Sequence, residues 1–156
     1  MKKILIYLIV ITAIASSCKK YEEGPLISFR SPLKRIYGYY YLESYTINGI
    51  DSLKFFNDSM GSSFYFLHDD VYDVNDLIID GKRNDGVYAE GCVFRWSLKS
   101  SNKILKFETA SGGNANSGPF RRGVLIDWEI LKLKFHNLKL KTTYNNKEFI
   151  IELLGS

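Results

Sequence analysis

In the stretch NLKLKTTY, residues 137–144, Leu138, Leu140, Thr142 and Tyr144 alternate with Lys139, Lys141 and Thr143. A period of two sends alternate side chains to opposite faces of an extended chain, so this segment is a strand with one buried and one wet face. The same rhythm recurs in EGCVFRWSLK (90–99), where Cys92, Phe94, Trp96 and Leu98 alternate with Val93, Arg95, Ser97 and Lys99. It recurs again in NKILKFE (102–108), with Leu105 and Phe107 opposite Lys106 and Glu108, and in EFIIELL (148–154), with Phe149, Ile151 and Leu153 inward. Strands that are polar on one face and joined by short links belong to an antiparallel sheet that covers its own apolar side.

One strand breaks its own rhythm. In VLIDWEILKLKF (124–135), Val124, Ile126, Trp128 and Ile130 share one parity, whereas Leu131, Leu133 and Phe135 share the other. A strand cannot change faces without an extra residue, so a β-bulge is predicted near Leu131 or Lys132. Trp128, between Ile126 and Ile130, is predicted to be buried and central.

The first half is strand-like too. IYGYYYLESYTI (36–47) ends at Asn48-Gly49, a strong hairpin signal, and SSFYFLH (62–68) is a second strand. VYDVNDLIID (71–80) permits a helical turn or a short strand. SGGNANSGP (111–119) reads as a long mobile loop, and Asn145-Asn146 as a tight hairpin turn. With eleven Tyr, ten Phe and only three Pro, the chain is β-rich and folded rather than disordered. Seven or eight strands at short spacing give an all-β class, a small antiparallel up-and-down β-barrel of about eight strands, with a β-sandwich as the alternative.

The N-terminus has a different character. Lys2 and Lys3 precede an apolar run from Ile4 to Ile14, broken only by Thr12. As a helix that run rises about 16 Å, half of a hydrocarbon core of about 30 Å, and it reads as the core of an export signal. Ala15, Ser16 and Ser17 then lead to Cys18. This resembles the lipobox of bacterial lipoproteins, whose cysteine thiol is acylated, although Ala15 stands where leucine is usual. The alternative is ordinary secretion with cleavage after Ala13-Ile14-Ala15. The chain thus divides into a signal peptide (1–17), a tether (18–34) holding Gly24-Pro25 and Ser31-Pro32, and the barrel domain (35–156). The resemblance implies attachment to the bacterial outer membrane through the lipid on Cys18, because two or more acyl chains anchor stably. Glu22 and Glu23 resemble the surface-export signals of some such lipoproteins, although Lys19 and Lys20 intervene. Asp51-Ser52-Leu53 and Asp58-Ser59-Met60 resemble O-glycan acceptors at Ser52 and Ser59; plain loop sequence is the other reading.

The order of motifs over about residues 35–154 carries a further resemblance. Gly38-Tyr39-Tyr40 opens the first strand, Leu42, Tyr45 and the turn Asn48-Gly49-Ile50-Asp51 follow, and Trp128-Glu129-Ile130 precedes Leu133 and the Leu138/Leu140 strand. This is similar to the lipocalin-like domain of bacterial lipoproteins, with Tyr40 where that family has Trp. The resemblance implies a barrel of about eight strands closed at one end by the N-terminal segment. It also implies an interior in which Tyr40, Phe94, Trp96 and Trp128 are candidates to bind a small apolar or amphipathic ligand.

Reactive chemistry is thinly supplied. His68 and His136 are the only histidines, with no Cys-x-x-Cys and no Glu-x-x-His, so no metal site is expected. His68-Asp69-Asp70 reads as a solvated strand end. Asp73, Asn75 and Asp76 imitate a calcium loop, but Leu77 stands where an oxygen ligand is needed. Neither a Gly-x-Ser-x-Gly elbow nor a phosphate loop occurs, so no catalytic residue or cofactor is assigned and an enzyme ranks last. Cys92 lies in an apolar alternation and reads as a buried inert thiol. A formal charge of +4, lowered by two without Lys2 and Lys3, gives no basis for nucleic-acid binding. Eight of nine Asp fall within 51–85 and ten Lys or Arg within 95–141, which reads as solvent-facing strand positions that happen to be Lys. Tyr37, Tyr39, Tyr41 and Tyr45 share a parity opposite Tyr40, giving an outer tyrosine row that either meets an envelope protein or glycan or lies under the tether.

Two functions remain open at this level: a binding module with a ligand in the barrel, or a structural or interaction lipoprotein with a barrel filled by side chains. Under either, Cys18→Ala is expected to move the protein from the membrane to the soluble fraction. A variant that still partitions with membranes into detergent removes the anchor.

Overall fold

The computed structural model describes residues 21, 30–69, 74–82, 88–111, 116–121 and 123–156. Along them run α1 (Pro32–Ile36), β1 (Gly38–Ile47), β2 (Ile50–Asp51), α2 (Leu53–Met60), β3 (Ser63–Asp69), β4 (Val74–Lys82) and β5 (Tyr88–Lys99). Then come β6 (Ile104–Ser111), β7 (Asn116–Ser117), β8 (Phe120–Arg121), β9 (Leu125–Lys134), β10 (Asn137–Tyr144) and β11 (Lys147–Gly155). The eight long strands pair antiparallel in sequence order, and β11 pairs back on β1 from Tyr40↔Gly155 to Ile47↔Phe149. That last ladder closes the sheet. An open sandwich would leave β1 and β11 as separate edges, whereas here they satisfy one another's backbone groups.

The alternation of the sequence becomes the two faces of the wall. Phe94, Trp96, Leu105, Phe107, Leu138, Leu140, Phe149, Ile151 and Leu153 are buried in one core. Arg95, Glu108 and Asp127 are exposed on the outside, with Lys139 and Lys141 half-exposed. A membrane-spanning barrel has the reverse pattern, polar inside and apolar outside. The ambiguous segment 71–80 is strand over its described part. Leu77 faces Phe66 and Phe94 across its two ladders, and pairing on both edges decides against a helix. Val71–Asp73 lie outside the described residues.

Four ladders carry register shifts, and those on β9 and β1 bear on the facing read from the sequence. On β9 the register runs from Lys132↔Lys139 to Ile130↔Leu140, leaving Leu131 as the extra residue at the predicted place. On β1 it runs from Leu42↔Leu153 to Ser44↔Glu152, which makes Glu43 extra. The second bulge overturns part of the expected tyrosine row. Downstream of Glu43 the parity inverts, so Tyr45 points inward and is 0% exposed. Tyr37, which precedes the strand, also leaves the row: its half-buried ring packs edge-on against Trp96 at 5.4 Å.

Both ends are covered. At the base, where β1 begins and β11 ends, α1 starts with Ser31, whose Oγ accepts from the Lys34 N–H at 3.4 Å, and with Pro32, pre-set for a first helical position. Ile36 is buried, and Arg35 Nη1 donates to the Leu133 carbonyl at 2.7 Å. At the apex, α2 buries Phe56 and Met60, one turn apart on a single face. The β7–β8 hairpin lies beside it, with β7 inside the segment expected to be loop and β8 just after it. Ser52 caps α2 by position, and Ser59 Oγ donates to the Phe55 carbonyl at 2.8 Å.

The hairpin turn is tight at Gly118, whose φ is +57°. A Cβ there would lie 3.0 Å from Phe149 Cε1 and 3.1 Å from the Tyr45 hydroxyl. Gly49 has φ +76° in the β1–β2 turn, with nothing within 4 Å of a Cβ. Gly49→Ala is expected to cost about 1–2 kcal/mol, the left-handed penalty alone. Gly118→Ala adds overpacking of about 1–3 kcal/mol against the two rings. Denaturation midpoints of the two variants check this, and equal losses would mean the hairpin is not seated as described.

Candidate functional site

The four residues proposed to bind a ligand do face one interior. Tyr40, Phe94, Trp96 and Trp128 are all buried there, Trp128 at 0% exposure. They are not arranged around an opening. Toward the base, Tyr40 meets Phe66 edge-on at 5.6 Å, and Phe66 meets Trp96 at 5.7 Å. Toward the apex, Phe94 and Trp128 lie 6.5 and 6.2 Å from Phe107. The space between is taken by a residue that strand periodicity does not reveal. Phe120, from β8, stands 5.2 Å from Trp128, 5.6 Å from Phe56, 5.8 Å from Phe94 and 6.0 Å from Phe107. Offset and edge-on rings at these separations are mutually favourable beyond their buried area. The interior is therefore an aromatic core that fills the barrel.

Cavity space borders this core at the base. One pocket of about 40 Å³, room for about one water, is lined by Arg35, Tyr40, Phe135 and His136 among others. An open groove of about 670 Å³ is lined, among the described residues, by Arg30, Ser31, Lys34 and Tyr37.

Polar atoms inside the core differ in how they are satisfied. The Tyr40 hydroxyl donates to the Arg35 carbonyl at 2.7 Å, and burial pushes its pKa up to about 12. Burial also pushes the Tyr45 hydroxyl upward. That hydroxyl, Trp96 Nε1 and Trp128 Nε1 have no hydrogen-bond partner among the described residues. A buried donor left unpaired costs about 1–3 kcal/mol.

Outside the wall, Tyr39 and Tyr41 of β1 and Tyr65 of β3 form a cluster, with Tyr39 4.5 Å from each of the other two rings. Tyr39 shares a hydrogen bond of 3.1 Å with Ser63 Oγ. Hydrogen bonds from Ser63 and Tyr41 lower the Tyr39 pKa, and the bond to Tyr39 raises Tyr41 and Tyr65. Tyr41 is 51% exposed, so this face is open over the described residues.

The remaining candidates have structural partners or fall elsewhere. Asn75 Oδ1 accepts from the Tyr37 hydroxyl at 2.6 Å and lies 3.1 Å from His68 Nδ1. Asp73 and Asp70 lie outside the described residues. Among the described residues no three His, Cys, Asp or Glu side chains come together. Cys92 is buried. Cys18, with Glu22 and Glu23, lies outside the described residues. No family model matches this sequence, and no curated protein matches it.

The two buried tyrosines make opposite predictions. Tyr40→Phe loses a paired hydrogen bond and is expected to destabilise by about 1 kcal/mol at neutral pH. Tyr45→Phe removes an unpaired hydroxyl at constant shape, so its midpoint should equal or exceed the parent's. In the parent, Tyr40 stays protonated up to about 12 while the unfolded phenol ionises near 10, so stability is full below pH 10 and declines between 10 and 12. Tyr40→Phe should flatten that decline in urea titrations at stepped pH. Identical midpoints for both variants would contradict the pairing described.

Proposed function

We propose that this chain is a lipid-anchored lipoprotein of the bacterial outer membrane. Its lipocalin-like barrel is filled by its own side chains and serves as a structural or interaction module, not as a carrier or an enzyme. The observation that carries this reading is the packing of Phe120 among Phe56, Phe94, Phe107 and Trp128, which occupies the space a carrier keeps for its ligand. The anchor rests on the apolar run from Ile4 to Ile14 and the small residues before Cys18. The outward charges of the wall agree with a domain held beside a membrane and not within one. Contact with an envelope protein or glycan then falls to the outer surface. The Tyr39, Tyr41 and Tyr65 cluster supplies ring faces and hydroxyls of the kind such contacts use.

A second reading keeps the ligand. Its support is specific: the Tyr45 hydroxyl, Trp96 Nε1 and Trp128 Nε1 are buried donors without a partner, and an amphipathic ligand displacing Phe120 would give them an acceptor. The two readings separate in one titration. Soluble Cys18→Ala protein is mixed with a long-chain fatty acid or an apolar fluorophore while Trp emission is followed. The filled barrel predicts no saturable change. Saturable quenching at a one-to-one ratio would replace the filled barrel with the carrier.

A further inference from the structure

Tyr21 stands three residues beyond Cys18, yet it is 3% exposed. Its hydroxyl donates to the Asn102 carbonyl at 3.0 Å, in the turn between β5 and β6, and the Arg35 guanidinium lies 5.6 Å from its ring. Both partners belong to the base of the barrel. Three residues reach at most about 11 Å when fully extended, so whatever path residues 18–20 take, Cys18 lies within that distance of Tyr21. The anchor therefore cannot let the domain drift on a long leash.

The end it holds is chemically distinct from the wall. Arg30 and Lys34 border the basal groove together with Ser31 and Tyr37. Lys103, in the β5–β6 turn, and Lys134, at the end of β9, are exposed at the same end. At the same end Phe135 is 58% exposed with the Arg30 guanidinium 4.5 Å above its ring, and Leu33 of α1 is 37% exposed. Lys19 and Lys20 are balanced by Glu22 and Glu23 in the sequence, and Asp69 ends β3 at this same end, so the positive charge lies on the side of the rim formed by α1, the β5–β6 turn and the end of β9. Cations set among exposed aromatic and aliphatic side chains suit the interface of an anionic bilayer, where the heads meet phosphate and the apolar bodies sit at headgroup depth.

We propose that the base of the barrel is a membrane-docking surface. Arg30, Lys34, Lys103 and Lys134 meet acidic phospholipid headgroups, Phe135 and Leu33 enter the interface, and the Arg30–Lys34 groove receives a lipid phosphate. The proposal rests on the reading of Cys18 as the acylated residue. It fixes an orientation: α2 and the β7–β8 hairpin point away from the bilayer, and the Tyr39 face stands on its flank.

The test uses full-length protein purified from membranes and reconstituted in phosphatidylcholine vesicles with or without phosphatidylglycerol. Spin labels are placed at Ser101→Cys in the basal turn and at Asn146→Cys in the β10–β11 turn at the apex. Access of an aqueous nickel chelate to each label is then compared. Docking predicts several-fold lower access at position 101 than at 146 in phosphatidylglycerol vesicles. The difference should largely vanish in high salt and in the combined Lys34→Glu, Lys103→Glu and Lys134→Glu variant. Equal access at both positions overturns the proposal, and shielding that persists unchanged in pure phosphatidylcholine overturns the headgroup assignment. Intact mass of the same preparation keeps the failures apart. Missing acyl mass removes the anchor and the docking with it, whereas acyl mass with equal access removes the docking alone.

Discussion

An eight-stranded antiparallel barrel closes only if every strand turns its inward positions toward one shared interior, and the β1–β11 ladder imposes that condition here. Without it, each of the two strands would expose a row of unpaired backbone groups and the apolar face would need a second sheet to cover it. With it, the interior has a fixed width that large side chains just fill. That width suits the composition of the core, where rings from β1, β3, β5, β6, β9 and β11 pack together and Leu and Ile from β4 and β10 fill in around them. Register shifts on the β1–β11, β9–β10, β4–β5 and β5–β6 ladders spread the added twist around the wall. The extra residues Glu43 and Leu131 increase local twist and re-aim the side chains beyond them, which is how a sheet coils far enough to meet itself.

Much of this was legible in the residues because period-two alternation is a local signal. The strands around Phe94, Phe107, Leu140 and Ile151 declare their faces by setting Lys, Arg or Glu between apolar neighbours. The β9 bulge was equally visible, because two apolar parities meet within one strand at Ile130-Leu131. The β1 bulge was not visible, for a physical reason. Tyrosine has an apolar body and a polar tip, so a run of tyrosines carries no facing signal, and Tyr45 lies as readily inside as Tyr41 lies outside. Phe120 and α2 were missed on different grounds. Phe120 sits in a two-residue strand after a Gly/Asn/Ser segment, and Phe56 and Met60 make a single helical contact. Neither stretch is long enough to show a period, and both are fixed by what they cover at the apex.

The same distinction runs through the candidate site. Tyr40, Phe94, Trp96 and Trp128 could be assigned to one interior from parity alone, and they share it. Whether that interior holds a ligand or a side chain is decided by a residue brought in from outside the regular ladder. A barrel and a filled barrel have the same strand pattern, because the difference lies in the plug and not in the wall.

With the interior committed to packing, the remaining chemistry collects at the surface and above all at the base. Arg35 shows why. A guanidinium at 6% exposure is expensive to bury, and it is retained by donating to the Leu133 carbonyl while the Arg35 carbonyl accepts from Tyr40. The residue thus ties α1 to β9 and β1 at once, and it presents its cation to the ring of Tyr21. One buried charge therefore links closure of the barrel to the seating of Tyr21. Under the proposed acylation of Cys18, a free tether would leave orientation to chance, whereas Tyr21, three residues later, is fastened to the base. The aromatic core makes the domain rigid enough for that fastening to matter, because a fixed base at one end implies a fixed apex at the other. On the proposed anchoring, the face left available for recognition is set by Tyr21, Asn102 and Arg35, which fix the base.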